Sequence, residues 1–346
     1  MLWIKAAGFY GLGSQMTFAR LLIHFAFSIA ASAALAQTQP LNSDAPAPTA
    51  KEFPSWAFLW APSFANPPID DGPQHVPAST TTHTWKQARD LFVAPDWHPD
   101  DHPAMPEIVA SGRKPDVRAC GSCHRTEGTG GSENASLAGL PPEYFIQQML
   151  DIKSGARQFS GPERPGSIFM QAAAKAMTEV ELKAAAAYFG ALKPKRNITV
   201  IESETVPKTY VARLFFAKSE LGGIEPLGQR IVEMPNDVVQ FQLRDTRTQF
   251  TAYVPKGSLA RGEALATTGV AGTTVPCANC HGPDLKGVGP IPSLAGRSPT
   301  YIFRQLYEFQ HGMRSGTASV LMQETVTKLT TDDMIALSGY VATLEP

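Results

Sequence analysis

CGSCH at residues 120–124 recurs as CANCH at residues 277–281. Both stretches have the pattern C-x-x-C-H, and together they use all four cysteines of the 346-residue chain. The pattern is typical of covalent haem attachment, in which two thiols add to the haem vinyl groups and the adjoining imidazole binds the iron. The motifs therefore predict two covalently attached haem c groups. The predicted cofactor-binding residues are Cys120, Cys123 and His124 for one haem and Cys277, Cys280 and His281 for the other.

Two other uses of the cysteines stay open on the sequence. A thioredoxin-like dithiol has the spacing C-x-x-C, but it normally lies in a βαβ context that the chain lacks. A zinc site of four cysteines would leave the two adjacent histidines unexplained. Covalent haem accounts for all six residues.

The two motifs belong to a duplication. An offset of 157 residues aligns not only the motifs but also Ser136-Leu137-Ala138-Gly139 with Ser293-Leu294-Ala295-Gly296. It also aligns Arg157 with Arg314, after which the first copy has five extra residues and the offset becomes 152. This period is too long for a stacked repeat, so we predict two copies of one domain. Each arginine is interpreted either as a partner of a haem propionate or as a solvated charge at a helix end.

The duplication also selects candidates for the distal iron ligand. Each copy has several methionines, but only Met170 and Met322 are methionine in both copies. Both precede the last helix, on what the sequence predicts as an extended segment. Each is also open to interpretation as core packing. The rival His311 aligns with a serine, and we interpret it as a polar group at the surface or facing a propionate.

Periodicity and capping patterns predict the helices. Apolar residues at helical spacing predict helices over 144–153 and 301–310, and capping patterns at Thr178 and Thr330 predict the last helix of each copy. The first helix of the second copy is predicted over 258–267, with Gly262 as a site of close helix contact.

The first helix of the first copy is harder to predict. The candidates are 85–92 and 105–111, separated by a Pro-rich stretch that contains His98 and His102. Because prolines interrupt any helix there, we interpret these histidines as solvated loop residues and not as metal ligands.

Composition marks the remaining segments. Short branched and aromatic runs at 198–201, 209–217, 230–233 and 250–254 predict a small β-rich insert, with an irregular linker as the alternative. A Pro-rich extension with Trp56, Phe58 and Trp60 is expected to dock locally through these aromatic residues. The predicted organisation is a signal peptide at 1–36, the extension at 37–84, a first domain at 85–193, the insert at 194–255 and a second domain at 256–346.

The N-terminus predicts export. Arg20 precedes an apolar run that is too short for a membrane span and ends in Ala34-Leu35-Ala36, so we predict cleavage after Ala36 and a periplasmic location, with an uncleaved anchor as the alternative. No later apolar run has the length of a membrane span, which leaves peripheral membrane association open. Without Lys5 and Arg20 the chain has 28 basic and 31 acidic residues, which gives no electrostatic case for nucleic acid as a partner.

The motifs, a methionine about 40 to 50 residues after each, and a capped last helix with an aromatic-aliphatic face resemble class I cytochromes c. The tandem form is similar to two-domain dihaem cytochromes of bacterial periplasms, and the likeness covers about 105–193 and 256–346. It implies a mostly α protein of two class I cytochrome c domains, with the small β-rich insert between them.

The resemblance further implies thioether bonds at Cys120, Cys123, Cys277 and Cys280, proximal ligands His124 and His281, and distal ligands Met170 and Met322. It also implies a proline carbonyl that accepts the imidazole N–H. Pro290 or Pro292 fits in the second copy, whereas the first copy must use another carbonyl.

The function predicted from these features is transfer of single electrons between redox proteins, without a catalytic residue. Two enzymatic or complex-bound roles stay open: a dihaem peroxidase or oxidase, and the cytochrome subunit of a dehydrogenase complex. A haem-based sensor is a third class, for which the insert is the only hint.

Overall fold

The computed structural model describes residues 53–63, 71–270 and 274–346. The predicted signal peptide, its cleavage site and residues 37–52 of the extension lie outside the described residues. The helices are α1 (Trp85–Arg89), α2 (Glu107–Ala110), α3 (Cys120–His124), α4 (Pro142–Ser154), α5 (Pro165–Ala176), α6 (Glu179–Ala191), α7 (Val238–Gln242), α8 (Ser258–Thr267), α9 (Ala278–His281), α10 (Pro299–Gln310), α11 (Val320–Val326) and α12 (Thr331–Thr343). The strands are β1 (Pro73–Gln74), β2 (His83–Thr84), β3 (Ile198–Glu202), β4 (Thr205–Pro207), β5 (Thr209–Ala212), β6 (Phe215–Lys218), β7 (Ile224–Pro226), β8 (Val232–Pro235) and β9 (Phe250–Val254).

The last helix of each copy begins at the predicted capping box. The Thr178 side chain accepts a hydrogen bond from the Glu181 N–H, and the Glu181 carboxylate accepts one from the Thr178 N–H. Thr330 and Asp333 make the same reciprocal pair at the start of α12. These bonds satisfy backbone donors that a helix start would otherwise leave open.

The first helix of the second copy spans Ser258–Thr267 as predicted and packs against α12. Gly262 lies at the crossing point, where a Cβ atom would be 2.1 Å from the carbonyl oxygen of Ala336. The absence of a side chain therefore sets how closely the two helices approach, which confirms the predicted role of Gly262.

The matching region of the first copy is shorter. The two candidate helices are α1 and α2, and α2 has only four residues. Pro106 is its N-cap, and a glycine at positive φ, Gly112, follows it. The proline and the glycine leave room for one turn.

The prediction of solvated histidines in the Pro-rich stretch was wrong. The His102 side chain is 3% exposed, and its Nε2 lies 3.1 Å from Oδ1 of Asp96. The contradiction is larger for His98. This side chain is buried, and its Nε2 lies 2.9 Å from Oδ1 of Asp245, a residue of the insert. Trp97 beside it donates from its indole N–H to the Leu243 carbonyl, at 2.8 Å. A partner 147 residues away along the chain leaves no local signal in the sequence, so the burial could not be seen there.

The insert contains a three-stranded sheet with the order β3-β9-β8. β3 follows the first copy and pairs in parallel with β9, which leads into α8, and β8 pairs antiparallel on the other side of β9. β5 and β6 form an antiparallel hairpin, and β4 and β7, which precede and follow it in the chain, form a separate antiparallel pair. The run predicted as one strand at 209–217 is this first hairpin, because Arg213 takes a positive φ of 62° and reverses the chain.

The N-terminal segment docks on the second copy. The Trp56 ring centroid lies 4.5 Å from that of Phe303, and the Phe58 ring centroid lies 5.5 Å from that of Tyr307. Phe58 is buried in the core of the second copy, so the extension docks through Trp56 and Phe58, but on a distant part of the chain and not locally as predicted. The molecule is mostly helical, with the predicted β-rich insert between the two copies.

Candidate haem-binding sites

The first C-x-x-C-H motif forms the short helix α3, which ends at Arg125 with φ 70°. The Nδ1 atom of His124 lies 2.9 Å from the carbonyl oxygen of Ala135. With Nδ1–H donating to that carbonyl, Nε2 is the nitrogen left to bind a metal. Burial lowers the pKa of His124, which favours the neutral ring that metals require.

The second motif repeats this geometry. His281 ends α9, and its Nδ1 lies 2.8 Å from the carbonyl oxygen of Pro292. Of the two prolines considered for this role, the structure therefore selects Pro292. Ala135 and Pro292 are related by the same offset of 157 residues, so one backbone position serves both copies whatever its side chain. Burial lowers the pKa of His281 as well.

A cavity opens beside the first motif. Its volume is about 1300 Å³ including the part open to solvent. Cys120, Cys123 and His124 line it, and so does Met170 from α5. Met149 and Met177 also line it, so the cavity alone does not choose among the three methionines of this copy.

The lining has the mixed character that haem requires. Apolar residues such as Phe145 and Ile152 would contact the porphyrin, and the positive charge of Arg118, Arg157, Arg164 and Arg304 would offset its propionates. Within the described residues, the Nε atoms of Arg118 and Arg157 are buried without a hydrogen-bond partner. Buried donors of this kind call for an acceptor, so the residues of this site fit a haem.

Met170 and Met322 lie on helices, and the prediction of an extended segment was wrong. Met170 belongs to α5 and Met322 to α11. In the first copy, Pro165 begins the helix and a Ser167 side chain caps it. The predicted helix list omitted both because each falls in the region where the repeat shifts register.

The second copy places Cys277 and Met322 against one apolar cluster, which also contains Leu265 and Met334. The rival His311 is exposed, stacks on Tyr307 with ring centroids 3.8 Å apart, and bonds the carbonyl of that residue. His311 is therefore a surface residue, which was one of its two predicted roles.

The thiols have no metal or redox arrangement of their own. Burial raises the pKa of Cys120 to about 12 and that of Cys277 to about 11, so neither is a thiolate at neutral pH. All four cysteines are free of disulfides. In the part of the chain that the structure describes, no cluster of three or more His, Cys, Asp or Glu side chains could hold a metal ion.

The matched arginines meet where the two copies join. Arg157 and Arg314 face each other in an antiparallel bridge, and both guanidinium groups donate to the side-chain oxygens of Gln148 and Gln305. Arg314 is buried, so the interpretation as a solvated charge was wrong. The two glutamines also match across the repeat, a signal that would have predicted this cluster.

Arg304 was missed because it has no counterpart in the first copy. It extends from α10 of the second copy to the first cavity, where one guanidinium nitrogen donates to the Ser132 carbonyl at 2.8 Å. Arg164, which lies in the extra residues of the first copy, lines the same cavity. Burial and nearby Arg304 together lower the pKa of Arg164 to about 10. Both arginines add positive charge to the first cavity.

Comparisons with known proteins decide the family. The model of the cytochrome c family matches residues 259–345. Cytochrome c-554(548) of Halomonas halodenitrificans is 33% identical over 85 residues, which are 24% of this chain and 99% of that protein. The chain belongs to the cytochrome c family.

Other relatives match a longer part of the chain. Cytochrome c4 of Azotobacter vinelandii is 25% identical over 229 residues, 64% of this chain and 82% of the relative. The thiosulfate dehydrogenase electron acceptor of Thiomonas intermedia is 26% identical over 236 residues, 66% of this chain and 79% of the relative. Among solved structures, the thiosulfate dehydrogenase TsdBA of Marichromatium purpuratum aligns with a TM-score of 0.46 and 25% identity, over 75% of this chain and 40% of that one.

This cytochrome c is a dihaem electron-transfer protein of the class I fold, with covalently bound haem c. None of the described helices is long and apolar enough to cross a membrane.

Proposed function

We propose that this cytochrome c carries single electrons between redox proteins of the periplasm, with one haem in each domain. The first haem is held by Cys120, Cys123, His124 and Met170, and the second by Cys277, Cys280, His281 and Met322. The haems supply the one-electron chemistry when bound, and the protein sets their axial ligands and surroundings. The observation that carries the proposal is the repeated bond from each motif histidine to the same backbone position.

The side chains act by orientation and by charge. The carbonyls of Ala135 and Pro292 fix the rings of His124 and His281 and make each ring a better ligand. Arg157 and Arg314 hold positive charge at the junction of the domains, where propionates of both haems would offset it. A methionine at each distal position keeps the iron closed, which suits a carrier better than a peroxidase.

A second candidate is the electron-accepting subunit of a dehydrogenase. It is favoured by the relative from Thiomonas intermedia, named as an electron acceptor of thiosulfate dehydrogenase. It is favoured also by the cytochrome subunit of sulfide dehydrogenase of Chlorobaculum tepidum, 37% identical over 73 residues. In that role the chain still carries electrons, and only the donor differs.

Intact-mass and absorption measurements test the proposal. Protein matured in a periplasmic host should retain two haem masses after denaturation, and its ferrous form should bind no carbon monoxide. M170A and M322A should each open one haem and weaken the methionine-to-iron charge-transfer band, and the double variant should abolish it. The rival variants M149A and M313A should retain the band. Apoprotein with free thiols, steady turnover of peroxide, or a band that survives the double substitution would contradict the proposal.

A further inference from the structure

The loop after the first motif is covered by the rest of the chain. Ser122, Thr126 and Glu127 are each at most 3% exposed, although they lie in and beside the haem-attachment motif. The loop follows directly after His124 of the attachment motif, so its burial covers this side of the motif from solvent.

Three segments provide the cover. From the insert, the Phe241 ring lies 5.0 Å from the Arg125 guanidinium, and the Phe241 carbonyl accepts a bond from it at 3.2 Å. Thr246, also of the insert, donates to the Glu127 carboxylate. From the second domain, Arg304 donates to the carbonyl of Ser132. A side chain added at Gly121 would meet the Ala94 methyl of the Pro-rich stretch at 2.8 Å.

The matching loop of the second domain is open. Asn279, Cys280, Pro283 and Asp284 are all exposed, whereas their counterparts in the first domain are buried or half-buried. Val288 shows this difference in exposure most directly. It is 56% exposed, and it matches Gly131 in the first domain, where an added Cβ would lie 3.1 Å from the Phe241 ring. In the first domain, Phe241 of the insert occupies the space beside Gly131. In the second domain, the matching Val288 faces solvent.

Apolar side chains flank the open motif. Val275 is 54% exposed and Leu321 is 70% exposed. The Thr274 hydroxyl, beside Val275, donates to the carbonyl of Thr325. The Thr325 hydroxyl donates to the carbonyl of Leu321. The segments that contain Val275 and Leu321 are therefore adjacent. Exposed apolar groups clustered beside a functional group mark an interaction surface more often than scattered ones do.

The charges of the open loop cancel. Residues 282–291 contain one acidic residue, Asp284, and one basic residue, Lys286. A loop of this composition offers no field of one sign to steer a charged partner. It fits a partner whose contact face is uncharged and apolar.

We propose that external redox proteins exchange electrons with this cytochrome through the surface of Val275, Val288 and Leu321 beside Cys280, and not through the covered loop of the first domain. The partner has an uncharged, apolar contact face. The inference rests on the proposed function, and it adds that the two haems have different tasks. The second haem exchanges with partners, and the first communicates through the second or through another face of its own domain.

The test uses the holoprotein and a blue-copper protein with an apolar contact face as the probe. V288D places a charge in the proposed contact and should lower the second-order rate constant of reduction by the probe roughly tenfold. L221D is the matched control, because Leu221 is 97% exposed on the insert, and it should change the rate less than about twofold. Dithionite should reduce both variants as fast as the parent, which shows that haem and fold are intact.

A binding measurement gives an independent readout. On addition of the probe, amide exchange should slow in peptides that span 275–290 and stay unchanged in those that span 120–132. The rate constant should depend little on salt, and a probe with a lysine-rich face should react no faster at low salt.

The outcomes separate the two proposals. Protection of 120–132, equal rates for V288D and L221D, or a dimer that V288D dissociates would overturn the inference, the last in favour of a second copy as the occupant. Loss of haem, or failure of dithionite to reduce the parent protein, would instead contradict the proposed function.

Discussion

The two cytochrome domains differ in where their stability comes from. In the second, the ten-residue helix α8 crosses α12 with Gly262 at the contact, and Phe58, Ile231 and Val254 from outside the domain complete its core. In the first, α2 has one turn, the main core lies within the domain, and a separate cluster packs Trp97 against Leu243 of the insert. The cytochrome c family model matches the second domain, at 259–345. Two copies of one domain can thus differ in the outside segments that complete their packing.

The largest expected effect is on the second domain. G262A should destabilise it by about 4 kcal/mol, because a Cβ atom 2.1 Å from a backbone oxygen forces α8 and α12 apart. Urea unfolding monitored by Soret circular dichroism should show a lower midpoint for one haem signal and an unchanged midpoint for the other.

E263A is the control, since Glu263 is exposed on the same helix, next to Gly262. If G262A and E263A unfold alike, the close crossing of α8 and α12 does not determine the stability of the second domain.

The next effect is on the domain that depends on the insert. D245A should cost about 3 kcal/mol, because it leaves the buried His98 without its partner and removes acceptors from Gln240 and Arg247. The first haem signal should lose its cooperative transition at lower urea than in the parent.

The surface variant D237A, which removes only the N-cap of α7, should have a smaller effect. If D245A destabilised both domains equally, the bond between His98 and Asp245 would not stabilise the first domain alone.

The difference between the domains also explains what the sequence could predict. Signals within a few residues, such as the capping boxes and the 258–267 helix, were read correctly because the relevant partners are close along the chain. The positions of the motif histidines and of their carbonyl partners could be predicted by comparing the two copies. The burial of His98 and the contact of Arg304 with the first loop were not, because each depends on a residue far along the chain and has no counterpart in the other copy.

A smaller effect concerns the capping box of the first domain. Arg113 hydrogen-bonds Glu181 and lowers its pKa to about 2 from an ordinary value of 4.5. A depressed carboxyl pKa contributes stability above the unfolded pKa, and this contribution is lost as the pH falls from about 4.5 towards 2. E181Q should therefore be less stable than the parent at neutral pH, and this difference should shrink over that interval.

The control for the capping box is E179Q, which removes an exposed carboxylate paired with Lys183 in the same helical turn. It should change the acid dependence less than E181Q does, because that pair is exposed to solvent. Acid titration of helical circular dichroism measures both. Parallel curves for E181Q and the parent would exclude Glu181 as a source of the acid dependence.

The smallest effect tests the feature that the domains share most closely. The structure gives the histidine-orienting role to a carbonyl oxygen, at Pro292 in one domain and at Ala135 in the other. P292A keeps that carbonyl, so the midpoint potential and haem content should match the parent within error. Stability should fall by only about 0.4 to 1 kcal/mol, through the freer unfolded chain. Spectroelectrochemical titration gives the potential. A marked shift would mean that the proline ring itself, through packing or backbone rigidity, sets the orientation of His281, and that the two domains hold their histidines by different means.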